Sequence, residues 1–177
     1  SLIIHGDINR GELPLSRPLY VRPIMEPVQT LDGWDERGPA DRLLVDHLYR
    51  ALRRIKEGDA GEEPTAPSVF MINLSMGDES RQFSGPMSPW ARLLDHLAHR
   101  YNVLFLVSAG NVRDTLSLTG VANWTAFETA TPEEREAALF AAIDAQKATR
   151  TILSPAEAMN VLTVGSAHRD AVPPGGA

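Results

Sequence analysis

The sequence predicts an α/β fold: a mostly parallel sheet with helices on both faces. Three observations carry this. Short apolar runs of strand length recur, most clearly at Val69-Phe70-Met71-Ile72-Asn73-Leu74-Ser75, at Val103-Leu104-Phe105-Leu106-Val107 and at Asn160-Val161-Leu162-Thr163-Val164. Longer segments between them carry apolar residues at helical spacing. The two kinds of segment alternate, and right-handed crossovers turn such an order into parallel neighbours. In sheets of this kind ligands bind beyond the carboxyl ends of the strands.

In chain order, residues 6–17 are polar and turn-rich. Leu19-Tyr20-Val21-Arg22-Pro23-Ile24-Met25 reads as a first strand, with Pro23 near its end because a proline cannot donate to a ladder. Residues 26–39 read as a loop around Asp32-Gly33. Residues 40–57 form the first clear helix: Leu44, Leu48, Leu52 and Ile55 lie four, four and three apart, basic residues gather late, and Gly58 stops it. Residues 58–67 are acidic and proline-bearing, a surface loop. The second strand covers residues 69–75, and residues 77–86 read as polar loop.

Ser88 is an N-cap with Pro89 at the first helical position, and the helix that follows places Trp90, Leu93, Leu94 and Leu97 on one face. Tyr101-Asn102 ends it and leads into the third strand. Residues 112–131 are irregular. Thr131-Pro132-Glu133-Glu134 opens a helix with acids in its first turn, running to about Thr149. It is expected on the surface, with Ala137, Leu139, Phe140 and Ile143 making its apolar contact. Ser154-Pro155 opens a short turn, and the last strand follows at residues 160–166.

Composition bounds the function. At 177 residues the chain is large enough to bury a real core. A net charge of -6 argues against a nucleic-acid partner, which calls for a basic face. There is no cysteine, hence no disulfide, thiolate metal site or thiol nucleophile. No apolar run is long enough to span a membrane, so no membrane partner is expected. The absence of cysteine and of a visible signal peptide is compatible with a reducing compartment and leans toward the cytoplasm without establishing it.

The third strand ends in Ser108-Ala109-Gly110-Asn111. Small residues let another backbone approach closely. A fixed carboxamide can donate a hydrogen bond to an oxygen that gains negative charge during a reaction. Asn111 is therefore the candidate electrophilic contact of an acyl-transfer site. The plainer reading of Ala-Gly-Asn is a turn after a core strand, since Gly and Asn both tolerate positive φ.

Three blocks in order resemble the subtilisin-like serine peptidases: Ile72-Asn73-Leu74-Ser75-Met76-Gly77, the strand ending in Ala109-Gly110-Asn111, and Ser154-Pro155-Ala156-Glu157-Ala158-Met159-Asn160-Val161-Leu162-Thr163-Val164-Gly165. Residues 19–25 resemble the family's preceding strand. The resemblance implies that Asn111 is the oxyanion-hole asparagine, a catalytic residue. It implies that Ser75, Met76 and Gly77 pair with an extended substrate backbone, and that Ser108, Ala109 and Gly110 wall the pocket for the residue before the scissile bond. The implied partner is a peptide or protein substrate.

The family's nucleophile lies in Gly-Thr-Ser, which is absent from this chain, and His5-Gly6-Asp7 matches its His-Gly-Thr only in part. The chain is thus expected to be an internal segment, residues 1–177, of one peptidase domain. It would carry an insertion at residues 112–151 and have its Ser/His/Asp triad outside both ends. Open sheet edges would then favour self-association.

Other chemistry is weaker. His96 and His99, three apart on a helix and next to Asp95, could share a face but lack a second cluster, so no metal is expected. No strand, glycine-rich turn and helix occur at phosphate-binding spacing, and no cofactor is expected. Two further readings stay open: a noncatalytic α/β peptide-binding or regulatory module, and an unrelated α/β domain that binds a small ligand with Asn111 as one contact.

Overall fold

The three apolar runs lie side by side. In the computed structural model, which describes residues 11, 13–31, 33–112 and 115–165, β3 (Met71–Leu74), β5 (Leu104–Ser108) and β7 (Val161–Val164) form a parallel sheet in the order β3-β5-β7. The register sets Leu74 opposite Val107 and Val107 opposite Thr163. All three strands therefore finish at the same edge. The expected His5-Gly6-Asp7 match lies outside the described residues.

The chain divides into two units, Ser1–Phe70 and Met71–Ala177. In the second, side chains alternate across the sheet. Phe105 and Val107 point to a buried face with no exposure, and Leu74 joins them. The opposite face carries Met71, Leu104, Leu162 and Val164, all exposed. Helix α2 (Pro89–Tyr101) packs on β5 and β7 and buries Trp90, Ala91, Leu94, Leu97 and Ala98, a stripe of helical period.

Its ends follow from sequence. The Ser88 hydroxyl accepts from Ala91 N at 3.0 Å, and Pro89 occupies the first turn, where no N–H is needed. Asn102 adopts φ +49 and its N–H bonds the Ala98 carbonyl, which turns the chain directly into β5.

A second, two-stranded sheet pairs β4 (Asp78–Gln82) antiparallel with β6 (Leu153–Ser154), with an irregular register between Asp78 and Gln82. The polar loop expected at residues 77–86 thus contains a strand. Residues 112–131, expected to be irregular, contain α3 (Trp124–Thr129), capped by Asn123.

α4 (Pro132–Gln146) opens with a full capping box between Thr131 and Glu134 and runs into a 3-10 turn, Lys147–Thr149. α4 lies at the surface as expected, but its apolar contact does not come from the large residues. Leu139, Phe140 and Ile143 are exposed, as is Ala137; Ala142 is fully buried and Ala138 half-buried. The less exposed stripe is Arg135, Ala138, Ala142 and Gln146, of which only Ala142 is fully buried.

The first unit corrects another expectation. Residues 19–25 form no strand. Pro18 and Pro23 remove ladder donors at both ends of the run, and Leu19 and Val21 are exposed. Among the described residues the strands of this unit are instead β1 (Glu26–Thr30) and β2 (Gly33–Arg37), an antiparallel pair within the expected loop.

Helix α1 (Leu44–Lys56) buries Leu48, Ala51, Leu52 and Ile55. Gly58, at φ +82, ends it, and a Cβ there would lie 2.0 Å from the Glu62 carbonyl oxygen. The following loop satisfies the last carbonyls: Thr65 N bonds Arg54 O and Ala66 N bonds Ile55 O. Lys56 Nζ donates to the carbonyls of Pro67, at 2.9 Å, and Val69, and burial pushes its pKa below the ordinary lysine value.

Candidate functional site

Parallel pairing of β3 with β5 places their two outgoing segments next to each other. Ser75-Met76-Gly77 leaves β3, and Ser108-Ala109-Gly110-Asn111 finishes β5. A Cβ added to Gly77 would lie only 3.7 Å from Gly110 Cα. The residues singled out in the sequence therefore gather at one edge of one sheet.

The second segment is fixed by its backbone. Ala109 N donates to Val164 O and Ala109 O accepts from Leu153 N, both at 2.9 Å. Gly110 N donates to the Ser108 hydroxyl at 3.1 Å, closing a local turn. Gly110 sits at φ +92, where side-chain-bearing residues are strained, so glycine is required there on conformational grounds alone. On the other segment the Asn73 amide donates to the Ser75 hydroxyl at 2.9 Å, fixing the exit of β3.

Asn111 follows this pinned turn and is exposed. Among the described residues its carboxamide is bonded to no partner. Ser75 is exposed too; Met76, Gly77, Ser108, Ala109 and Gly110 are half-buried. A carboxamide at the end of a fixed backbone can donate to a developing oxyanion.

Sequence reasoning missed the third component, Leu153. This side chain is buried at 2% exposure and lies against both glycines. A Cβ on Gly110 would stand 2.5 Å from Leu153 Cγ, and one on Gly77 would stand 3.3 Å from Leu153 Cβ. The backbone around it is held on several sides. Phe83 N bonds Ile152 O at 2.9 Å. The Ser154 and Ser88 hydroxyls, both buried, are 2.6 Å apart, and one Glu157 carboxylate oxygen accepts from Ser88 N at 3.0 Å. Two buried serines in an apolar setting were the available signal, but their partnership spans 66 residues. No local pattern reveals it.

Among the described residues no group of three His, Cys, Asp or Glu side chains gathers as a metal cluster would. His96 and His99 are exposed on α2, and Asp95 accepts from Asn160 N at 2.6 Å.

Comparison with known proteins places the chain in a family. Residues 50–173, more than half of the chain, match the model of the subtilase family. An uncharacterized protein of Sinorhizobium fredii (strain NBRC 101917 / NGR234), y4bN, is 37% identical over 99 residues, which is 55% of this chain and 19% of that relative. The chain thus spans about a fifth of the length of the curated relative it matches. No solved structure matches. The chain belongs to the subtilase family, a family of serine peptidases.

Proposed function

We propose that these residues form the substrate-binding and oxyanion side of a subtilisin-like serine endopeptidase. The observation that carries the reading is the shared edge of β3 and β5, where Ser75-Met76-Gly77 lies beside a pinned turn that ends in an exposed Asn111. An extended peptide would pair its main chain with Ser75 to Gly77, a generic recognition that tolerates many sequences. Ser108, Ala109 and Gly110 would wall the pocket for the residue before the scissile bond.

The reaction is attack by a serine hydroxyl on the peptide carbonyl, with a histidine taking its proton and an aspartate orienting that histidine. The Gly-Thr-Ser motif is absent from this chain, so the triad is assigned to sequence outside it. The role of Asn111 is electrostatic. Its amide would donate to the carbonyl oxygen once that oxygen is tetrahedral and negative, and so stabilise the transition state more than the bound substrate.

The test is the full-length protein with a fluorophosphonate serine probe and a casein digest. Labelling of one serine, with casein cleavage that the probe abolishes, is the expected result. Peptide binding without labelling would instead make this a noncatalytic peptide-binding module. Specific labelling of a serine within these 177 residues would overturn the assignment of the triad.

A further inference from the structure

We infer that Ser154, with Glu157 beside it, is a positioning residue for Asn111: it ties the exit of β5 to the start of α2 and so holds the carboxamide where the oxyanion forms. The inference rests on the function proposed above and concerns residues that touch no substrate. One short segment, residues 153–157, joins the two elements. At one end the Leu153 N–H donates to Ala109 O at 2.9 Å, two residues before Asn111. At the other, the segment holds the N-cap of α2 twice. The Ser154 hydroxyl lies 2.6 Å from the Ser88 hydroxyl, and a Glu157 carboxylate oxygen accepts from Ser88 N at 3.0 Å.

The two anchors differ in kind. α2 is a fixed reference, held against the sheet by Trp90, Leu94 and Leu97. Its start suits both contacts: a carboxylate is favoured at a helix N-terminus, and the paired hydroxyls are 1% and 2% exposed, so water does not compete for them. Asn111 is exposed, and its place is set by the backbone before it. That backbone is held through Ala109, whose N–H bonds β7 at Val164 O and whose carbonyl bonds Leu153. The second of these bonds is only as firm as the segment that supplies it. Removing the Ser154 hydroxyl leaves the bond from Ala91 N to the Ser88 hydroxyl in place, and so loosens the segment without uncapping α2.

The experiment measures kcat and KM of the full-length protein on one peptide substrate. Active sites are counted by fluorophosphonate labelling, so unfolded protein does not enter kcat. Ser154→Ala should lower kcat roughly tenfold and leave KM nearly unchanged, a part of the roughly hundredfold that a misplacement of about 1 Å costs. In an Asn111→Ala background the same substitution should lower kcat by less than about twofold, because the group it positions is gone. Ser154→Cys keeps the shape with a weaker donor and should show the same pattern with a smaller loss. It carries the test if the alanine variant does not fold.

Equal losses from Ser154→Ala with and without Asn111 overturn the inference and leave the peptidase reading standing. So does a change confined to KM or to thermal stability. If neither variant folds, the bond between the serines is a folding element and the inference falls. Wild type that neither hydrolyses the peptide nor takes the label overturns the peptidase reading, and the positioning role with it.

Discussion

Gly110→Ala should be among the most damaging small substitutions in the chain, and the structure separates its cost into two parts. The first is conformational: at φ +92 a residue with a Cβ sits in a region that costs it about 1–2 kcal/mol. The second is steric. The new methyl would lie 2.5–2.6 Å from three carbons of Leu153, and overpacking of that kind costs about 1–3 kcal/mol. The total is about 2–5 kcal/mol. Gly120→Ala is the internal control: Gly120 has nearly the same φ, +87, with nothing within 4 Å of the added carbon, so only the first part applies. Urea unfolding followed by the fluorescence of Trp90, buried on α2, reads both variants. In a Leu153→Ala background the Gly110→Ala cost should fall by about 1 kcal/mol or more, because Cγ and Cδ1 are gone. Equal costs for Gly110→Ala and Gly120→Ala, with no coupling to Leu153, would refute the packing of Leu153 against this turn.

Other outcomes follow from the same contacts. Ser88→Ala removes both the α2 N-cap and the partner of the buried Ser154 hydroxyl; it should cost about 2–3 kcal/mol in urea unfolding, more than loss of the exposed Asn123 cap of α3. Replacing residues 125–149 by a short linker should leave the β3-β5-β7 sheet folded by circular dichroism, since most of α4 is exposed and only Ala142 is fully buried there. Complete loss of soluble folded protein would place that helix in the core.

What was legible in the sequence was local. Ser88-Pro89 followed by an apolar stripe gave α2 to the residue, because cap chemistry and helical period agree there. β5 and β7 were visible as apolar runs: β5 is the middle strand of the three, with Phe105 and Val107 fully buried, and β7 flanks it with Val161 and Thr163 half-buried. What was hidden depends on distant partners. Asp78-Glu79-Ser80-Arg81-Gln82 is polar and carries no strand pattern; it is extended because Leu153 and Ser154 lie opposite it. β1 and β2 are almost wholly exposed and so lack the alternation that marks a half-buried strand. The run at residues 19–25 misled in the other direction, having β-branched and aromatic residues but prolines at the points where a ladder needs donors.

The candidate site divides the same way. Asn111 and the two outgoing segments could be named from their residue types and their resemblance to a family. The packing of Leu153 against Gly110 could not, because a leucine before Ser-Pro has no periodicity and makes this contact across 43 residues of chain.

The most direct measurement is the steady-state kinetics of Asn111→Ala in the full-length protein. Asn111 would meet the substrate oxygen fully only when that oxygen is tetrahedral and negative, so its loss should fall on kcat and leave KM nearly unchanged. The expected loss is about a hundred- to a thousandfold, a magnitude carried over from a subtilisin, for which the removal of one such donor was quantified. An unchanged kcat with lowered thermal stability would contradict the account, and Asn111 would be a turn residue and nothing more.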